Sequence, residues 1–182
     1  MIRLRDVEPA DLDAYLRMRC DPQMMAELGG PLPPEGMAAK VARDVASAAA
    51  DRDWIKMIAL EDDATAGTVT LWNHELDGRA FSEIGWMVLP EYQGRGLAKQ
   101  AVAAVLGLAA ADGRWGLVHA FPATTNGPSN GICRSLGFSL LGEREVLFAG
   151  RSLRTSHWVF DTAPAAPPAS AVPGGPGGGG GG

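Results

Sequence analysis

The sequence predicts a single mixed α/β domain, and three observations carry that expectation. A chain of 182 residues has the length of one domain rather than of a two-domain enzyme. With 46% apolar and 20% charged residues it can bury a core, and it is neither an acidic disordered chain nor a collagen-like one. β-rich runs and helix-periodic segments interleave in the order β-α-α-β-β-β-α-β-α-β-β, with no internal repeat.

Each element has a local reason. Ile2-Arg3-Leu4-Arg5 alternates as a strand does, and Pro9 then opens a segment with Leu12, Tyr15, Leu16 and Arg19 at helical spacing. After the turn Pro31–Pro34, residues Glu35 to about Asp51 are Ala-rich with Met37, Val41 and Val45 four apart, a second helix. Trp54–Leu60 and Gly67–Trp72 are β-rich and separated by a turn-like Asp62-Asp63-Ala64-Thr65-Ala66, so they pair as a hairpin. Phe81–Leu89 is a third strand, stopped by Pro90. A helix starting near Gly94 carries Leu97, Ala101, Val105 and Leu108 on one stripe and ends at Asp112-Gly113. Leu117–Phe121 reads as a short strand, Pro128–Leu136 as a short helix closed by Gly137, and Phe138–Phe148 and Leu153–Phe160 as two final strands.

From Ala163 to Gly182 the chain is almost wholly Ala, Pro and Gly and carries no charge, so residues 1–162 form the domain and 163–182 a disordered tail. The longest stretch without a polar side chain, Ala101–Ala111, is far short of the ~18–20 residues of a membrane span. Charges at Arg3, Arg5 and Asp6 argue against a secretory leader, so the expected compartment is the cytoplasm, with no membrane partner. Cys20 and Cys133 form no Cys-x-x-Cys pair, and His74, His119 and His157 share no ligand spacing, so no metal is expected. The net charge of −5, with no run of five like charges, disfavours nucleic acid and tolerates a cationic amine.

The most informative stretch is Val88-Leu89-Pro90-Glu91-Tyr92-Gln93-Gly94-Arg95-Gly96-Leu97-Ala98, a strand that runs through a glycine-containing loop into a long helix. Outward N–H groups of such a loop, the free amides of the first helical turn and the helix dipole together make a cradle for an anion such as a pyrophosphate. Gly94 and Gly96 let the backbone approach closely, and Arg95 adds charge at the rim. A dinucleotide fingerprint fails because its third glycine position is Lys99, and the Gly-Lys-Ser/Thr of a nucleoside-triphosphate loop is absent.

The pattern that fits is Gln-x-x-Gly-x-Gly/Ala, met by Gln93, Gly96 and Ala98, and with it the sequence resembles the GNAT superfamily of acetyl-CoA-dependent N-acetyltransferases. Ser82–Gly96 is similar to the strand and loop of the branch that includes the RimJ/RimL-type ribosomal-protein acetyltransferases. Asn126-x-x-Ser129, followed eight residues later by Gly137-Phe138, is similar to the second family motif. Arg3-Leu4-Arg5 and Asp21-Pro22 extend the likeness, which covers most of residues 2–160. The resemblance implies the GNAT fold, a mixed and mostly antiparallel central sheet flanked by helices. It implies acetyl-CoA as cosubstrate, contacted by Met87, Val88, Gln93, Gly94, Arg95, Gly96, Leu97, Ala98, Asn126 and Ser129. Asn126 also suits a plain helix cap.

The implied chemistry is acetyl transfer to a primary amine, on a protein N-terminus or a small molecule, by direct attack. A backbone N–H near Val88 would hold the thioester oxygen, and Glu83, two-residue periods from Gly85 and Met87 on the same strand, is the candidate base. Its alternative is a surface or ion-paired glutamate. Many family members protonate the leaving thiolate with a Tyr at the position occupied here by Cys133, so Cys133 and Ser129 are the substitute acids, and a thiol of ordinary pKa ~8.5 suits the role poorly. The missing Tyr keeps open a non-catalytic acyl-CoA-binding sensor as the alternative function. Tyr15, Trp54, Trp72 and His74 are candidates for an acceptor pocket, and two edge strands near the C-terminus for pairing in a homodimer.

Overall fold

The computed structural model describes residues 2–76, 78–148 and 150–163, so the expected tail, apart from Ala163, lies outside the described residues. Strand β1 (Arg3–Asp6) leads through a 3₁₀ turn at Pro9–Asp11 into α1 (Leu12–Arg19), and α2 (Met37–Ala49) follows. Three antiparallel strands come next, β2 (Trp54–Ala59), β3 (Thr65–Leu76) and β4 (Arg79–Val88). Helix α3 (Leu97–Asp112), β5 (Leu117–Ala120), α4 (Gly127–Ser135), β6 (Ser139–Phe148) and β7 (Arg151–Asp161) complete the order expected from the sequence.

One boundary and one buried face differ from expectation. Helix α3 starts at Leu97 and not at Gly94, because Gly94 (φ 75°) and Gly96 (φ 72°) both take the left-handed conformation, which a right-handed helix excludes. Its buried stripe runs through Leu97, Ala101, Val105 and Ala109, with Val102 and Leu106 beside it, whereas Leu108 is exposed.

The seven strands form one sheet in the order β1-β2-β3-β4-β5-β7-β6. Only β4 and β5 run parallel; every other neighbouring pair is antiparallel. Strand β7 therefore lies inside the sheet between β5 and β6. This corrects the expectation of two C-terminal edge strands: β6 alone is an edge there, and it exposes Leu140, Leu141 and Leu147.

Strand alternation divides the core in two. On one face Val69, Leu71, Ile84, Val118 and Trp158 pack against α3 and against Cys133 of α4. On the other, Ile55 and Met57 pack against Tyr15 and Met18 of α1 and Val41 of α2. Neither cluster takes in Trp72, His74, Phe81, His119, Phe121 or His157, which lie on the second face beyond the cover of α1 and α2.

Candidate active site

Strand β4 carries the site. The Leu89 N–H donates to the Ala66 carbonyl at 2.9 Å as the last rung to β3. In the unbroken register between these strands, the backbone groups of Met87, Gly85 and Glu83 also face β3, so those of Val88 and Trp86 face β5. Pairing with β5 covers only Ser82↔Val118 and Glu83↔His119. Beyond Ala120 the chain stays with β7, through Ser156 N–H to the Pro122 carbonyl (2.9 Å) and Thr124 N–H to the Arg154 carbonyl (3.1 Å), while β4 stays with β3. The parallel strands part into a wedge. Among the described residues the N–H groups of Trp86 and Val88 have no protein acceptor there. Gln93 Nε2 donates to the Val88 carbonyl at 2.9 Å, so of the two backbone groups that Val88 turns to the wedge it is the N–H that stays unpaired.

The wedge opens onto the glycine loop. Pro90–Tyr92 forms a 3₁₀ turn, and the two left-handed glycines then swing the chain into α3. A Cβ at Gly94 would meet nothing within 4 Å, so the demand on this residue is conformational, not spatial. Among the described residues no protein group accepts the N–H of Gly94, Arg95, Gly96, Leu97 or Ala98. These orphaned amides at the positive end of a 16-residue helix fit a diphosphate such as that of coenzyme A. Arg95 folds back over the loop: its guanidinium donates to the Glu91 carbonyl at 3.0 Å and lies 5.4 Å from the Tyr92 ring centroid. The Leu97 side chain is buried in the core, so only its N–H faces the loop.

Glu83 lies on the second face with its side chain 19% exposed. Burial pushes its carboxyl up to about 7. His74 Nε2 stands 2.6 Å from Glu83 Oε2, yet off the N–H direction, so that nitrogen is buried without an aligned hydrogen bond. Burial also lowers the His74 pKa, and a protonated acid beside a neutral imidazole is no ion pair. The Phe81 ring packs 4.1 Å from His74 and 5.1 Å from His119, walling the carboxyl from water. A carboxyl that titrates near neutrality beside a donor-lined wedge suits general base work at pH 7.

The segment after β5 is held by a residue that the sequence reading missed. Asn130, buried on α4, donates from Nδ2 to the carbonyls of Ala123 (2.9 Å) and Asn126 (2.8 Å) and accepts from Trp158 Nε1 at 2.9 Å. Only its spacing from Asn126 could have flagged it. Asn130→Ala leaves the Trp158 N–H buried and unpaired and is expected to cost about 2–3 kcal/mol. At ~2–4 °C per kcal/mol for a domain of this size, thermal unfolding should fall by about 5–10 °C; an unchanged midpoint would show that another group fixes this loop.

Asn126 caps α4, its Oδ1 accepting the Ser129 N–H at 3.0 Å, and Ser129 is half-buried beside it. Cys133 is fully buried in the core behind α4, and burial pushes its thiol up to about 12, which removes it from the cleft. Of the four acceptor-pocket candidates, Trp72 and His74 flank Glu83, Trp72 in register with it and His74 in contact. Tyr15 is a core residue whose hydroxyl donates to Asp44 at 2.7 Å, and Trp54 packs edge-on against Trp115 at the other side of the sheet. The three histidines, unrelated in sequence, gather on one face: His119 Nδ1 is 2.8 Å from His157 Nε2, and His74 is joined to His119 through Phe81.

A family model described as an acetyltransferase (GNAT) domain matches residues 2–139. No curated protein sequence matches the chain. Solved structures that resemble it include a GNAT-family acetyltransferase from Bacillus anthracis, with 18% identity, TM-score 0.73, and coverage of 88% of this chain and 95% of that one. They include RimL, a ribosomal L7/L12 alpha-N-protein acetyltransferase in complex with coenzyme A (17% identity, TM-score 0.68, 88% and 93% covered). A spermidine N-acetyltransferase, a chimera of Vibrio cholerae SpeG and hSSAT, also matches (17% identity, TM-score 0.71, 88% and 95% covered). At these identities the likeness is one of fold.

Proposed function

Because the chain belongs to the GNAT acetyltransferase family, we propose that it transfers an acetyl group from acetyl-CoA to a primary amine by direct attack, in the wedge between β4 and β5. The observation that carries this reading is the run of unpartnered backbone donors from Trp86 and Val88 into the Gly94–Ala98 loop. The loop amides would hold the diphosphate, and the Val88 N–H a carbonyl of the pantetheine arm. When bound, acetyl-CoA supplies an activated acyl carbon for the neutral amine to attack, with the thiolate departing.

The Trp86 N–H is the better placed of the two wedge donors to steady the negative charge on the acyl oxygen. It lies three residues from Glu83, roughly 10 Å along the strand, against about 16 Å for Val88. Glu83 then takes the ammonium proton through one or two waters, a distance that direct contact does not span. Ser129 is the one predicted acid left outside the core, and proton return from solvent suffices for a leaving thiolate. Asn126 contributes by fixing the start of α4 beside the wedge.

The test mixes the full chain with acetyl-CoA and a panel of primary amines and follows free thiol. Acetyl-CoA is expected to raise the unfolding midpoint at micromolar to millimolar levels, and at least one amine class is expected to release thiol. A midpoint unmoved at millimolar acetyl-CoA refutes the cofactor assignment. Binding without thiol release over the whole panel would make the chain an acyl-CoA sensor instead.

A further inference from the structure

The open face of the sheet holds a cavity that the amide loop does not use. It has a volume of about 590 Å³, within the range of small-molecule sites, and Phe81, His119, Phe121 and His157 floor it. His119 Nδ1 lies 2.8 Å from His157 Nε2, and the two ring centroids are 5.1 Å apart. That separation is the hydrogen bond plus the two ring radii, so the imidazoles meet edge to edge as one plate. Phe121 overlaps His157 with centroids at 4.6 Å, and the three ring planes lie within 28° of one another. A fourth flat ring can therefore lie parallel to all three. Phe81 closes the floor, edge-on to His119 at 5.1 Å.

This floor is uncharged and lies next to the site of transfer. Burial lowers the pKa of His119 and holds that of His157 down to about 4, so both present neutral aromatic rings at pH 7. Among the described residues no Asp or Glu lines the cavity, so a second ammonium on an acceptor finds no carboxylate there. Glu83 is in register with His119, and the same parallel register carried two residues on sets Phe121 level with Gly85, one residue before the Trp86 donor. Gly85 projects no side chain; a Cβ there would come within 3.4 Å of the Trp72 ring, which covers the position from β3. An acceptor that reaches the acyl carbon from the face of Glu83 therefore meets Trp72 on the β3 side and Phe121 on the β5 side.

On the acetyltransferase reading, we infer that the acceptor is a primary amine that carries an aromatic ring two saturated carbons from its nitrogen, the ring lying against His119, Phe121 and His157. Along the strand, the level of Phe121 is about 3 Å from Trp86 and that of His119 about 10 Å. An arylethylamine holds its ring centre roughly 5 Å from its nitrogen, between those two levels. The same skeleton is found in a free arylethylamine and in a peptide whose first residue is Phe, Tyr or Trp. A linear diamine offers these rings only a chain, and its second ammonium lands where no carboxylate receives it.

The test uses matched acceptors on the full chain: 2-phenylethylamine against 2-cyclohexylethylamine, and Phe-Ala-amide against cyclohexylalanyl-Ala-amide, with hexylamine and 1,6-diaminohexane as a third pair. Binding is read by calorimetry with coenzyme A present, and turnover by thiol release from acetyl-CoA. Members of the first two pairs share their reach and nearly their apolar area, so a preference for the aromatic member, expected at about 2- to 12-fold, reads the ring–ring contact. A preference in the first pair alone identifies a free amine as the acceptor, and one in the peptide pair a chain terminus. The diamine should do no better than hexylamine. In Phe121→Leu the aromatic preference should fall to near one, while Phe121→Tyr keeps it; coenzyme A should still raise the unfolding midpoint of both, which shows an intact fold. Phe81→Leu, at the other end of the floor, should also lower the ratio and serves where Phe121→Leu does not fold. Equal binding and turnover within both aromatic pairs, a preference that survives in the folded Leu variant, or a diamine preferred over hexylamine overturns the inference. Aromatic amines that bind with this preference without being acetylated would leave the ring site standing and remove the transferase reading. Amines acetylated without preference would do the reverse.

Discussion

Glu83→Gln is expected to lower kcat by about 10²- to 10³-fold, within the range of a lost general base, while coenzyme affinity stays nearly unchanged. The wild-type rate should rise with pH through an ionisation near 7, because burial holds the Glu83 proton to that pH and only the carboxylate accepts one from the amine. The variant should lose that inflection and keep only the ionisation of the acceptor. His74, His119, Phe81 and, farther off, Arg144 face the carboxyl from β3, β5, β4 and β6, and the two imidazoles are held neutral over this range. The profile therefore reports Glu83.

The same substitution should stabilise the fold, by an amount that depends on pH. A carboxyl raised from 4.5 to about 7 keeps its proton in the native state while the unfolded chain releases it, so native stability declines from pH 4.5 to 7 and stays lower above. Glutamine removes that term. The gain should be about 3 kcal/mol at pH 8 and absent near pH 4, read by denaturant unfolding at the two pH values. A variant that turns over normally would remove Glu83 from the mechanism. One that is slow yet no more stable at pH 8 would mean that the carboxyl is not held neutral by burial.

Much of this was legible in the sequence because its signals are local. The eleven strands and helices are periodic runs punctuated by Pro and Gly, and the loop at Gly94-Arg95-Gly96 announces itself by residue type. What was hidden is pairing. That β7 slips between β5 and β6 brings His157 against His119, and β3 brings His74 to Glu83, so three histidines without any common spacing become one wall. The same applies to Arg79 and Arg144, which belong to distant strands and meet at one cavity. Cys133 looked like a replacement for a missing acid because its position was counted along the chain; the turn of α4 sends its thiol into the core. Asn130 was passed over because a polar residue in a short helix gives no sign of being buried.

Gly67 shows how a residue outside every motif controls the wedge. It pairs with Val88, and a Cβ added to it would lie 2.1 Å from the Met87 carbonyl oxygen and 2.9 Å from the Val88 Cα. Both are backbone atoms, which cannot rotate aside as a side chain does. Gly67→Ala must therefore push β3 and β4 apart at the rung beside the Trp86 and Val88 donors. We expect a loss of about 3 kcal/mol or more, toward the upper end for overpacking, and an unfolding midpoint lower by ~6–12 °C. Acetyl-CoA affinity should fall tenfold or more, since small displacements of positioned groups are costly. Gly107 supplies the control. It lies mid-way along α3, where an added methyl group would meet nothing within 4 Å, so Gly107→Ala should stabilise by about 0.5–1 kcal/mol. Opposite signs for one chemical change would place the cost in the contact with Met87 and not in the loss of glycine. A Gly67→Ala chain as stable as the parent, binding acetyl-CoA equally well, would mean that β4 can yield at this rung without disturbing the wedge.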